Sequence, residues 1–141
     1  MSPRAAILAL VAVMAAFSAA ALPYDYRFPK QDFEGAMHFV ESHAGQGDPV
    51  VTVGAATIPY REYFHQTWQG ISSTGQLQTV QAQGRPVWVL YTMSGYIQSV
   101  TPDIMNALRS ECAVAGVFRG TLADGDVTVC TMPPAPALLG R

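Results

Sequence analysis

The sequence predicts an α/β domain of three layers, behind one N-terminal transmembrane or signal helix. Pro49–Val53 and Pro86–Thr92 are short apolar or β-branched runs, which predict buried strands. Patterns of helical spacing lie before, between and after these runs, and alternation of strands with helices favours a mainly parallel sheet covered on both faces. Two further strand patterns around a turn at 123–125 predict an antiparallel hairpin at the C-terminal edge of this sheet.

Composition fits one small domain. Of the 141 residues, 50% are hydrophobic and 13% are charged, which excludes a disordered chain. The formal net charge is -2, and the 8 lysine and arginine residues are scattered along the chain. Because a nucleic-acid backbone is bound by clustered basic residues, we expect no nucleic-acid partner.

Residues 1–22 form an apolar segment, which indicates the cellular compartment of the domain. Arg4 precedes Ala5–Leu22, which only Ser18 interrupts. The segment fits a membrane helix of about 20 residues, and it equally fits a cleavable signal with small residues before the cleavage point. Both alternatives predict that the domain faces the periplasm or the cell exterior, anchored to the membrane or secreted. Residues 23–131 then form the domain, and 132–141 form a flexible proline-rich tail.

Phe28–His43 predicts an amphipathic helix that docks on the sheet. Its apolar residues share one face at helical spacing, and they are Phe33, Ala36, Met37, Val40 and Ala44. Pro29 suits the first turn, and Asp32 complements the positive end of the helix.

Three further helices and two strands complete the prediction. One helix opens at 57–59, a short one lies in the polar segment Gly70–Gly84, and one starts at the pair 101–102, where threonine precedes proline. The hairpin strands are predicted at Ala113–Leu122 and Asp126–Thr131.

The helix that opens at 57–59 supplies the candidate ligand surface. It contains Tyr60, Arg61, His65 and Trp68. Aromatic faces stack on the apolar faces of sugars or contact lipid, and a guanidinium group pairs with phosphate. The helical spacing of the aromatic residues also fits a stripe of core side chains, so both alternatives stay open.

No metal, cofactor or catalytic residue is predicted. His38 and His43 are five positions apart and diverge by roughly 140° around a helix, and His65 lies elsewhere in the chain. Gly54 follows a strand, but the G-x-G-x-x-G pattern of a dinucleotide-binding turn is missing. No G-x-S-x-G motif marks a hydrolase nucleophile.

Cys112 and Cys130 are the 2 cysteines of the chain. In an oxidising compartment they can form a disulfide between the last long helix and the last strand, which would add roughly 3 kcal/mol to the stability of the domain. The alternative is two separate buried thiols, because Cys130 shares a strand face with Thr128 and its direction could prevent the bond.

Four stretches of the chain together resemble a known family. In chain order they are FPKQDFEGA, DPVVTVG, GRPVWVLYT and FRGTLADGDVTVC. In this order the chain resembles the extracytoplasmic C-terminal domain of bacterial GT-C type membrane glycosyltransferases, which are relatives of the dolichyl-phosphate-mannose protein mannosyltransferases. In that family an aromatic residue and then Pro-Lys-Gln-Asp follow the last membrane helix, as Phe28–Asp32 do here.

The resemblance implies a non-catalytic outer domain, either a fragment or separately encoded. Its implied partners are the membrane, a glycosyltransferase membrane core and a lipid-linked sugar. Because the catalytic acidic residues of the family lie in that core, the resemblance implies that this chain alone is inactive. The alternative function is an independent secreted or membrane-anchored binding module without enzymatic activity.

Overall fold

The structure, a computed structural model, describes residues 2–27 and 30–136. It contains two compact units, Met1–Lys30 and Gln31–Arg141. The first unit contains helix α1, Pro3–Arg27. Its stretch Pro3–Leu22 is long and apolar enough to cross a membrane, and a signal sequence meets the same description. The predicted N-terminal apolar helix is confirmed, and it extends beyond the predicted boundary at residue 22.

The second unit is built on a sheet of five strands in the order β2-β1-β3-β5-β4. The strands are β1 Val50–Val53, β2 Gln69–Ile71, β3 Val87–Tyr91, β4 Ala113–Phe118 and β5 Val127–Met132. The pairs β1 with β2 and β1 with β3 are parallel, whereas β3 with β5 and β4 with β5 are antiparallel. The predicted α/β fold, with a mainly parallel sheet and a C-terminal antiparallel hairpin, is confirmed, and the sheet is mixed, with parallel strands β2, β1 and β3 and an antiparallel hairpin.

Helices cover both faces of this sheet. They are α2 Phe33–His43, α3 Thr57–Glu62, α4 Thr74–Gln81, α5 Ser94–Val100 and α6 Pro102–Glu111. Buried side chains of α2 and α3 pack with Leu90 and Val129 on one face. Those of α4, α5 and α6 pack with Val89 and Met132 on the other face. The three-layer α/β architecture follows from these two separate cores.

Helix α2 docks on the sheet through the face that its sequence predicts. Ala36 and Val40 are 0% and 1% exposed, and Met37 is buried beside them. The helix begins later than predicted, because the carboxylate of Asp32 accepts a hydrogen bond from the Gly35 N–H at 2.9 Å and so caps it. Pro29, which was predicted to lie in the first turn, is outside the described residues.

The structure differs from the prediction in several places on the domain. The helix that opens at 57–59 ends at Glu62, so His65 and Trp68, which were predicted to lie on it, come after its end, and Tyr63 is 79% exposed. Strand β2 and helix α5 were not predicted at all. Met132, the first residue of the predicted tail, belongs to β5, and the next residues are held by Gln81, whose side chain donates to the Pro133 carbonyl at 3.2 Å.

A disulfide joins Cys112, directly after α6, to Cys130 in β5. Cys130 is fully buried in the core between the sheet and α6. The bond therefore ties the end of a surface helix to an interior strand.

Candidate functional site

A cleft lies at the carboxyl ends of the parallel strands. The strands β1 and β3 are neighbours, but the chain leaves β1 for β2 on one side and leaves β3 for the hairpin on the other. The loops after the two strands therefore diverge and open a crevice between them. In open α/β sheets this crevice is the usual place for a ligand.

The cleft encloses about 440 Å³ and has a largely apolar lining. Ile71 and Ile97 are buried at its base, with 3% and 1% exposure. Ile58, Tyr96 and Val100 line it while 58%, 55% and 58% exposed, so they form an open apolar rim. Such a lining suits an apolar ligand because binding would remove these side chains from water.

Two residues with positive φ shape the walls of the cleft. Gly54 follows β1 with a φ of 62°, and a Cβ atom there would lie 3.0 Å from Cγ1 of Ile97. Glycine is therefore needed both for the conformation and for the close approach of α5. Met93 follows β3 with a φ of 55°, and its N–H donates to the Asp124 carbonyl at 3.0 Å. A non-glycine residue in this conformation costs about 1–3 kcal/mol and is held by its surroundings.

A second hollow of about 330 Å³ adjoins the cleft, and we call it the Arg61 hollow. Its lining residues are Gly54, Thr57, Arg61, Trp68, Gly70, Ile71 and Ser72. Gly54, Ile71 and Ser72 also line the cleft, so the two spaces share a boundary. The Arg61 guanidinium is exposed and its Nε lies 2.8 Å from a carboxylate oxygen of Glu62.

The structure separates the residues of the predicted ligand surface. Tyr60 is 1% exposed and belongs to the core, so it is not available to a ligand. Its burial, and then the charge of Asp32, raise the pKa of its hydroxyl group. His65 is exposed with a φ of 52° and lines neither the cleft nor the Arg61 hollow. Arg61 and Trp68 do lie together, because both line the Arg61 hollow.

Tyr60 still contributes to the site, because it supports Trp68 from behind. The two ring centroids are 5.0 Å apart, and Trp68 is partly buried on the core. Tyr60 also contacts Phe33 of α2 edge-on, with ring centroids 5.5 Å apart. The indole wall of the hollow therefore rests on packed aromatic rings, as the alternative of a core stripe predicted for Tyr60.

The three histidines lie in different surroundings. His38 is within 3.7 Å of Glu34 and 3.3 Å of Glu41 on the exposed side of α2. The ring of His43 stacks on Phe39 at a centroid distance of 4.1 Å. Among residues 2–27 and 30–136, no group of three or more histidine, cysteine or acidic side chains is placed to hold a metal ion.

A smaller polar hollow of about 240 Å³ lies beside Asp124 and Asp126. The Asp124 carboxylate accepts hydrogen bonds from Ser94 Oγ at 3.0 Å and from the Gly95 N–H at 2.8 Å. The Asp126 carboxylate accepts one from the Gly120 N–H at 3.1 Å. Both carboxylates thus fix loops and the start of α5.

Sequence reasoning missed the cleft because two elements that line it were not predicted. Ile71 and Ser72 come from the end of β2, and Tyr96, Ile97 and Val100 come from α5. One signal was present, since Gly54 directly after a buried strand is a typical turn at the carboxyl edge of a sheet.

Comparison with family models, with curated proteins and with solved structures finds no match for this chain. Its own fold and cleft define it as a small three-layer α/β domain with a crevice at the carboxyl edge of the sheet.

Proposed function

We propose that the chain is a membrane-anchored extracytoplasmic binding domain that takes an apolar ligand in the cleft between β1 and β3. The main support for this proposal is the cleft, which lies where the chain leaves the neighbouring strands β1 and β3 in opposite directions. It has an apolar lining and an open apolar rim. Its volume of about 440 Å³ lies in the range of small-molecule sites.

Two observations support the location. Helix α1 has the length and composition of a membrane anchor, and Arg4 at its start favours a cytoplasmic N-terminus. The disulfide between Cys112 and Cys130 suits an oxidising compartment, where such bonds persist. Cleavage of the N-terminal segment would give the same domain in secreted form.

The binding test uses a form of the protein that starts at Gln31, because this unit has its own core and disulfide. We expect the neutral probe 1-N-phenylnaphthylamine to gain fluorescence in a saturable way. Val100→Glu places a carboxylate at the rim and should weaken binding by about tenfold or more, because an apolar ligand would desolvate the charge.

The matched control is Val114→Glu in β4, since Val114 is 62% exposed and Val100 is 58% exposed. Val114 lies outside the cleft, so this variant should bind the probe as the unmodified domain does. Near-ultraviolet circular dichroism checks that both variants are folded. Equal titrations for the two variants would remove the cleft as the binding site.

A second candidate function is the outer domain of a GT-C type glycosyltransferase, with a membrane core as partner and a lipid-linked sugar as ligand. The observation that favours it is the short connection, because only residues 28–32 separate the end of α1 from the start of α2. The stretches that resemble that family add support.

The DNA upstream of the Met1 codon distinguishes this candidate from an independent module. An in-frame series of hydrophobic helices there would favour the outer domain of a larger enzyme. A stop codon and a ribosome-binding site would favour the independent module.

A further inference from the structure

We propose that the cleft and the Arg61 hollow together bind one anionic amphiphile, with its alkyl chain in the cleft and its phosphate or carboxylate head at Arg61. This inference rests on the proposed function, because it uses the same cleft, and it adds the chemical class of the ligand. It is based on the chemical difference between the apolar cleft and the Arg61 hollow, which share a boundary.

The cleft and the Arg61 hollow are continuous with each other. Gly54, Ile71 and Ser72 line both spaces, so an elongated molecule can pass from one to the other over the ends of β1 and β2. Gly70 lines the Arg61 hollow, and a Cβ atom there would lie 2.7 Å from Cγ2 of Thr57, so glycine allows β2 to approach α3 closely. A larger residue would meet α3 at the wall of the hollow.

The two spaces differ in the charge of their lining. Within the described residues, Arg61 is the one charged side chain that lines either the cleft or the Arg61 hollow. Its contact with Glu62 is an exposed ion pair that uses Nε, and such pairs contribute little. A guanidinium group has five N–H donors, so Arg61 can still pair with an anionic head.

A negative charge near the cleft bears on the orientation of a ligand. The cleft also borders a hollow that contains Asp103, and this hollow shares Ser72, Val100 and Thr101 with the cleft. A negative head would be repelled there and attracted at Arg61. The two charges thus favour a single direction for an anionic amphiphile.

The Arg61 hollow has a wall that is already packed. Trp68 forms a wall of the Arg61 hollow and packs on Tyr60, which is 1% exposed. A wall that is already packed loses little side-chain freedom when a ligand binds. A membrane anchor would also keep the domain close to lipids, which are amphiphiles at high local concentration.

The test uses the full chain in phosphatidylcholine nanodiscs and a dodecyl phosphate probe with a diazirine at the end of the alkyl chain. After irradiation, mass spectrometry locates the labelled residues. We expect label on cleft residues such as Ile58, Met93 and Val100, and saturation with increasing probe. Label on α1 reports how much probe enters the bilayer and serves as the internal reference.

Arg61→Gln should raise the probe concentration for half-maximal cleft labelling by about tenfold, because one charge-assisted contact is lost. Arg61→Lys, which keeps the charge, should restore most of the labelling. The matched control is Arg109→Gln, since Arg109 is an exposed arginine on α6 that lines neither space.

Two further arms separate the possible outcomes. A neutral dodecanol probe should label the cleft equally in the unmodified protein and in Arg61→Gln. Inorganic phosphate at millimolar concentration should not displace the dodecyl phosphate probe, whereas displacement would indicate a site for free phosphate and overturn the inference.

If both probes label the cleft and Arg61→Gln changes neither, the amphiphile inference fails and the proposed function stands. If neither probe labels the cleft in the unmodified protein, both fail. Cleft labelling by dodecyl phosphate that depends on the charge at position 61 is the result that supports the inference.

Discussion

The hydroxyl group of Tyr60 donates a hydrogen bond to the carbonyl oxygen of Phe33 at 3.0 Å. This contact joins α3 to the first turn of α2, two helices that cover the same face of the sheet. Because Tyr60 also supports Trp68, the wall of the Arg61 hollow is connected through it to the opening turn of α2.

The first prediction removes this hydroxyl group. Tyr60→Phe keeps the ring in the core and loses one hydrogen bond, so the free energy of unfolding should fall by about 1 kcal/mol. Urea unfolding of the two proteins measures the difference. Tyr63→Phe is the control, because its ring is 79% exposed and its change should stay below about 0.5 kcal/mol.

The second prediction concerns alkaline pH. Burial, and then Asp32, raise the pKa of Tyr60 above its ordinary value of 10.0. The unfolded chain therefore releases this proton at a lower pH than the folded protein does. The contribution of Tyr60 is complete below about pH 10 and is lost as the pH rises from there towards the raised pKa.

Unfolding free energies measured from about pH 8 to 11 test this linkage. They should decline above about pH 10, and the decline should be smaller in Tyr60→Phe. A decline of the same size in both proteins would show that Tyr60 is not its source.

The third prediction concerns α4. Leu77 is 2% exposed in the core, and Leu77→Ala should cost roughly 2–5 kcal/mol because it leaves a cavity. Gln78 is its exposed neighbour on the same helix, and Gln78→Ala should change stability by less than about 0.5 kcal/mol. Chemical denaturation should therefore separate the two variants clearly, and coincident midpoints would contradict the observed packing of α4.

The fourth prediction concerns the disulfide. The double variant Cys112→Ala with Cys130→Ala should lose about 3 kcal/mol, since the bond closes a loop with a sequence separation of 18. The unmodified protein in reducing agent should approach the stability of this variant. The double variant itself should be insensitive to the reductant, which provides the control for the treatment.

The fifth prediction tests the proposed location. With a C-terminal tag on the chain, protease should remove the tag in bacterial spheroplasts, because Arg4 before the apolar helix favours an outward-facing domain. A cytoplasmic marker protein should stay intact in the same sample. A tag that survives until the membrane is permeabilised would contradict the orientation.

The strands and helices that the sequence predicts well are those with a strong local pattern. Val87–Tyr91 is a continuous apolar run, and its burial on both faces follows directly from that composition. The face of α2 that contains Ala36 and Val40 likewise follows from helical spacing.

The elements that were missed depend on distant partners. Strand β2 has one buried residue, Ile71, and exists through its pairing with β1. Helix α5 begins at Ser94, and the Asp124 carboxylate, in the turn between β4 and β5, accepts a hydrogen bond from the Gly95 N–H there. Neither contact can be predicted from local sequence propensity, and so the cleft that these elements line was not predicted.

The strand order has a consequence for the way the chain acquires its fold. Strand β5 is last in sequence, yet it lies between β3 and β4 in the sheet. Among the described strands β4 pairs only with β5, so it has no backbone partner in the sheet until β5 is in place. Sheet closure and the burial of Val129 therefore depend on residues 127–132, and a chain without them has an incomplete sheet that a chaperone would recognise.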